Sequence, residues 1–153
     1  MSGKYKRKFG KKFVMIDGYV MKSAAWAALT ANDKAVYLAL KWKYDGTNNG
    51  RLGMGCREAA DAIGSASKDT GKRSLDCLQE KGFISKRKNS GFNVKNRVAA
   101  EWRLTEYSCD VTGELPSKEF ARWAPEGKNT VRPQGQTVRP QGQWTPKMRV
   151  SNG

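Results

Sequence analysis

The chain has 153 residues, room for one ordinary domain with extensions, and its 29 Lys plus Arg against 14 Asp plus Glu leave a net charge of +15. That excess favours a polyanionic partner (DNA, RNA or an anionic membrane surface), and hydrophobic residues at only 38% imply that part of the chain stays unpacked. Histidine is absent, which excludes imidazole general bases, Ser-His-Asp triads and His-ligated metals.

Residues 1–12 form a basic arm containing Lys6, Arg7 and Lys8, too densely charged to fold alone and suited to phosphates or a minor groove. Tyr5 and Phe9 within it would suit stacking on single strands. From Phe13 to Met21, Val14, Ile16 and Val20 around Asp17-Gly18 predict a short strand or hairpin. Ser23 caps a short helix bearing Trp26 and Leu29. Thr30-Ala-Asn-Asp33 reads as a capping box with Asp for Glu, opening a helix that runs to about Tyr44. Val36, Tyr37, Leu38, Leu40 and Trp42 should provide its core surface, with Trp26, Tyr37 and Trp42 in the core or at its edge. Asp45 to Gly50 is turn chemistry, and Arg51 to Met54 fits a short strand.

The stretch from Arg57 to Ile84 organises the rest. Ala59, Ala60 and Ile63 share one face of a first helix, and Gly64 can end it in the left-handed conformation. Ser67 is placed to cap a second helix, over 68–81, which Gly82 stops. Gly71, Ser74, Leu75 and Leu78 form its small, apolar stripe, which allows close helix approach, while Lys68, Lys72, Arg73, Asp76 and Gln79 lie elsewhere. Phe83 to Lys88 then reads as a strand, Asn89-Ser-Gly91 as a turn, and Trp102 to Thr105 as the returning strand with Trp102 and Leu104 inward.

The run Ala-Ala-Asp-Ala-Ile-Gly-Ser, then Thr70, Arg73, Leu75 and Leu78, then Glu80-Lys-Gly-Phe-Ile84 resembles the bacterial winged helix-turn-helix proteins. From about Tyr19 to Thr105 the chain is similar to those carried on prophages and plasmids, both regulators and replication initiators. Leu38-Ala-Leu40, Asn48-Asn-Gly50 and Ala100-Glu-Trp-Arg-Leu-Thr105 are the flanking markers. The resemblance implies a mainly α fold with a small antiparallel β wing over 13–107, a basic arm before it and an extension over 108–153 after it. It also implies a recognition helix in the major groove of double-stranded DNA. On that helix Ser67, Lys68, Thr70, Lys72 and Arg73 are the candidates to reach DNA, with Lys or Arg able to pair with guanine. In the wing, Lys86, Arg87, Lys88, Lys95 and Arg97 are the candidate phosphate contacts. Asp69 and Asp76 repel phosphates, so the helix is no generic basic patch.

Past Tyr107 the composition shifts. Ser117 to Trp123 suits a short helix, and Thr130–Gln136 recurs as Thr137–Gln143, a tandem TVRPQGQ repeat that cannot bury a core and predicts a largely disordered tail. That tail is either a linker or a docking peptide for a replication or transcription protein, with Trp144 as its anchor and Arg132 and Arg139 for weak nucleic-acid contacts. No membrane-length apolar run or signal peptide occurs, and Cys56, Cys77 and Cys109 suit reduced thiols in a cytoplasmic, nucleoid-associated protein. Paired-Cys and Gly-x-x-x-x-Gly-Lys motifs are missing, so neither an enzyme, a cofactor nor a metal is expected. An RNA or single-strand binder using Tyr5, Phe9 and Phe92, or a protein adaptor using the tail, is the alternative function. No heptad pattern in the sequence specifies a dimer, and monomer and dimer stay open.

Overall fold

In a computed structural model of the chain, residues 11–93 and 96–125 are described, the segment 92–97 without its side chains. Lys6, Arg7 and Lys8, expected in an arm, Lys95, expected in a wing, and the repeats lie outside the described residues.

Two helical turns, α1 (Gly18–Met21) and α2 (Ala24–Ala27), precede the first long helix, α3 (Ala31–Lys43). The strand expected across Phe13–Met21 is absent. Residues 11–17 have no regular structure, and Val20 N and Met21 N bond to Asp17 O instead of to a neighbouring strand. The β-branched character of this stretch serves burial, since Val20 is fully buried. Ser23 caps α2 as its position suggests, accepting from Trp26 N. The capping box of α3 is complete: Thr30 Oγ1 accepts from Asp33 N at 3.2 Å, and Asp33 Oδ2 accepts from Thr30 N at 2.9 Å. Val36, Tyr37 and Leu40 enter the core, but Leu38 and Trp42 do not. Trp42 is 50% exposed, because its place on the 100° helix step carries it to the outer face.

Strand β1 (Leu52–Gly53), helices α4 (Cys56–Ile63) and α5 (Lys68–Glu80), and strands β2 (Ile84–Lys88) and β5 (Glu101–Leu104) follow. The three strands make an antiparallel sheet in the order β1-β5-β2. The stretch between β2 and β5 carries its own small hairpin, β3 (Gly91–Asn93) with β4 (Asn96–Val98).

Gly71 fixes how α4 meets α5. A Cβ there would lie 2.2 Å from the Cys56 carbonyl and 2.5 Å from Ala60 N, so only glycine permits this approach. Gly71, Ser74, Leu75 and Leu78 are all buried, as the stripe requires. Gly64 ends α4 at φ +77°, with Ser65 N donating to Ala60 O. Ser67 occupies the N-cap position of α5 without making a side-chain cap bond. Asp33 and Cys77 join α3 to α5, the thiol donating to Asp33 Oδ2 at 3.2 Å.

The packed body does not stop at Tyr107. Glu119–Arg122 form a 3-10 helix, and the Phe120 ring stacks on Phe83 at 5.0 Å, in the centre of the core beside Trp26 and Tyr37. Gly82, at φ +82°, ends the α5 region and also lets this segment approach, since a Cβ would sit 2.7 Å from Phe120 N. The boundary expected at 107 therefore falls inside the fold, which continues through Trp123. A buried Asn49 ties the same region together. Its Oδ1 accepts from Leu104 N, and its Nδ2 donates to the carbonyls of Leu104, Tyr107 and Ser108. Trp102 and Leu104 face inward as expected. Arg103, on the other face, is buried too, where it pairs with Glu114.

Two stability measurements check this account. Gly71→Ala should cost about 2–3 kcal/mol in urea unfolding, whereas Gly53→Ala, with nothing within 4 Å of the added Cβ, should change stability by less than about 0.5 kcal/mol. Burial alone would raise the Asp33 carboxyl, but the hydrogen bonds from Thr30, Cys77 and Ser74 hold its pKa below the ordinary 3.8. A depressed folded-state pKa stabilises above the unfolded value and loses that contribution as pH falls through the folded one. Asp33→Ala should therefore cost about 1–2 kcal/mol at neutral pH, and the gap to the parent should narrow as the pH drops below the ordinary aspartate range.

Candidate nucleic-acid interface

The buried stripe of α5 decides what its other side offers. Ser67, Lys68, Lys72 and Arg73 are exposed, and Thr70 is half-buried. All five belong to the N-terminal half of the helix and its cap. Lys72 Nζ donates to Asp76 Oδ2 at 2.6 Å, one turn along. The hydrogen bond and charge of that carboxylate raise the Lys72 pKa. The pair is exposed at both ends, so it orients Lys72 more than it stabilises the helix.

Across from this face stands β2. Lys86 lies with its ammonium 5.1 Å from the centre of the Trp102 ring, a cation over an aromatic face. Lys72, Asp76 and Lys86 converge on a crevice of about 140 Å³ between α5 and the sheet, floored by Met54, Leu75 and Trp102. The β2–β5 register steps at this point. Lys86 pairs with Trp102 but Lys88 pairs with Glu101, which leaves Arg87 as the extra residue of a bulge. Arg87 consequently turns toward the Asp45–Gly50 turn, where its Nε donates to Gly50 O at 3.1 Å. Lys88 remains exposed at the end of the strand. Arg97 lies on β4 opposite Phe92.

Seven candidates, Ser67, Lys68, Lys72, Arg73, Lys86, Arg87 and Lys88, are thus exposed on α5, its cap and β2, and Thr70 joins them half-covered. Lys6, Arg7, Lys8 and Lys95 fall outside the described residues, and Arg97 is placed by its backbone alone. Three features escaped the sequence: the Lys72–Asp76 pairing, the Trp102 ring beneath Lys86 and the bulge at Arg87. The first had a legible signal, an i,i+4 spacing of opposite charges. The other two depend on strand register. Arg57, exposed on the first turn of α4, adds a basic group that the helix pattern alone did not single out.

Comparison with protein families, with curated proteins and with solved structures finds no match for this chain. Among the described residues, no helix is long and apolar enough to cross a membrane, and no group of three or more Cys, Asp or Glu side chains is arranged to hold a metal ion.

Proposed function

We propose that this chain is a winged helix-turn-helix protein that binds double-stranded DNA selectively, with α5 in the major groove and the β2–β5 wing along the backbone. The observation that carries the reading is the two-sided character of α5. Its small, apolar side is locked into the core by the Gly71 contact, and its outer side carries Lys68, Lys72 and Arg73 beside Lys86 and Lys88 of β2. A rigid helix with a basic outer face beside a basic strand suits a groove and its flanking phosphates. The order β1-β5-β2, with α4 and α5 inserted between β1 and β2, supports the winged arrangement.

Asp69 and Asp76 set this surface apart from a uniform cation patch. A carboxylate on the reading face rejects phosphate and can accept from the cytosine amino group, so selectivity follows from its presence. The resemblance to prophage and plasmid proteins points to a transcription regulator or replication initiator of a mobile element, working at the nucleoid. Recruitment of a replication or transcription protein by the repeat tail belongs to the same proposal. The aromatic groups named for a single-strand binder, Tyr5, Phe9 and Phe92, have no described side chains.

Binding of labelled duplex from the region upstream of the coding sequence, titrated across salt with random duplex as competitor, tests the proposal. Neutralisation of about six phosphates gives a slope of log affinity on log salt near −5. Arg73→Ala should weaken the specific complex by about 1–3 kcal/mol and leave random duplex nearly unaffected, whereas Lys88→Ala should weaken both alike and flatten the slope by about 1. Equal removal by random duplex, with Arg73→Ala indistinguishable from the parent, would leave only a general nucleic-acid binder. A second titration isolates the acidic group. Asp76→Asn frees Lys72 from its partner and should raise affinity for random duplex while lowering discrimination, read as a reduced ratio of specific to random binding.

A further inference from the structure

The crevice between α5 and the sheet has an apolar floor that the DNA reading does not use. Met54, Leu75, Ala100 and Trp102 form that floor and are buried, and Cys56 and Ser90 complete the walls. Three charged side chains stand around it, and they are not equivalent. Lys72 is neutralised by Asp76, at 2.6 Å. Lys86 has no such partner: among the described residues no carboxylate pairs with it, and its ammonium rests 5.1 Å from the centre of the Trp102 ring. The bulge sends Arg87 away to Gly50 O and leaves Lys86 lining the crevice.

These groups specify what the crevice can hold. An uncompensated ammonium attracts an anion. A phosphate or another small, strongly hydrated anion gains nothing from the apolar side chains beneath, and the Asp76 carboxylate beside Lys72 penalises a double charge. A ligand that uses the whole site carries one negative charge and a flat apolar body. The volume sets its size. At about 140 Å³ the crevice is under half of the roughly 300 Å³ at the lower end for drug-sized ligands, so one ring with a carboxylate fills it. A ligand of that form lays its ring on Met54, Leu75 and Ala100 and brings its carboxylate to Lys86.

We propose that the crevice between α5 and β2 is a binding site for a small aromatic carboxylate. The ligand cancels the charge of Lys86, one of the cations offered to DNA, and occupies the space between the helix and the strand that carry the basic surface. Ligand and duplex therefore exclude each other, and the coupling is reciprocal. Only this exclusion rests on the DNA reading; the binding site itself does not.

Benzoate, titrated into the isotope-labelled full chain and followed by NMR, is the test. The Trp102 indole N–H donates to Met54 O at 2.9 Å, so its resonance, identified with Trp102→Phe, reports on the floor. Benzoate should shift it saturably, with a dissociation constant of about 1 mM. Benzamide, the same ring without the charge, should bind at least about tenfold more weakly, and so should acetate and inorganic phosphate, which carry charge without the ring. Lys86→Gln should bring benzoate to the level of benzamide and leave benzamide unchanged. Cys56→Leu fills the wall and should abolish binding of the ring; Lys86→Gln, an exposed substitution, keeps the test decisive if that variant fails to fold. At matched ionic strength, benzoate at about ten times its dissociation constant should raise that of labelled duplex about tenfold. Absence of a saturable shift overturns the proposal. So does acetate or phosphate binding as tightly as benzoate, which is a simple cation contact, or benzamide doing so, which is an apolar gap only. Benzoate binding without any duplex binding supports the site and counts against the DNA reading instead, and benzoate and duplex bound together overturn the exclusion.

Discussion

The approach of α5 to α4 at Gly71 is the constraint on which the rest of the molecule depends. A helix pair can be separated by side chains or brought to backbone contact, and here the Cys56 carbonyl and Ala60 N–H occupy the space a methyl group would need. That contact fixes the rotation of α5 about its own axis. It puts Leu75 and Leu78 under Phe83 and α3, and by the same rotation turns Lys68, Lys72 and Arg73 outward. A shift of one residue in the helical phase would bury a lysine and expose a leucine, so packing and presentation of the basic face are one choice.

Charge is distributed to match. The exposed cations of β2 do not all behave alike: Lys86 rests on Trp102, Arg87 is held by the Gly50 carbonyl through a bulge, and Lys88 is unattached among the described contacts. A held cation loses less conformational entropy when it meets a phosphate than a loose one, so the tethered groups are the better positioned and Lys88 the more adaptable. On α5 the Lys72–Asp76 pair likewise restricts where Lys72 points. These arrangements lend the surface shape as well as sign.

A second, buried polar system keeps the far side of the domain in register. Glu106 is fully buried and accepts from Lys41 Nζ and from the Tyr37 hydroxyl, each at 2.7 Å, with Lys41 lying between the Tyr37 and Tyr107 rings. Burial and the Glu106 charge push Tyr37 well up and Tyr107 to about 12. The desolvation of such a pair offsets much of its attraction, so its effect lies chiefly in penalising any packing that separates the partners. Asn49 acts in the same way on the chain leaving β5, satisfying four backbone groups that no strand reaches.

The amino-acid sequence by itself determined the local elements whose cause is local. The capping box at Thr30, the glycine stops at Gly64 and Gly82 and the apolar stripe of α5 each rest on residues within one or two turns, so their pattern is written in order along the chain. The short strand expected at Arg51 to Met54 was legible too, from its place beside turn residues, and forms as Leu52–Gly53. Other features depended on tertiary structure. Val20 looked like part of a strand because burial and β-pairing favour the same side chains, and only the absence of a neighbouring strand distinguishes them. Ser67 had the composition of a cap, yet the bond depends on a backbone angle that its identity does not set. Phe120 entered the core from beyond the apparent boundary because Phe83 left a ring-sized space and Gly82 a gap beside it, and neither is visible in composition. Trp42 and Leu38 turned outward because Val36, Tyr37 and Leu40 filled the one face that the core could accept. A helix rich in apolar residues has more than one candidate inner face, and the choice falls to the elements packed against it.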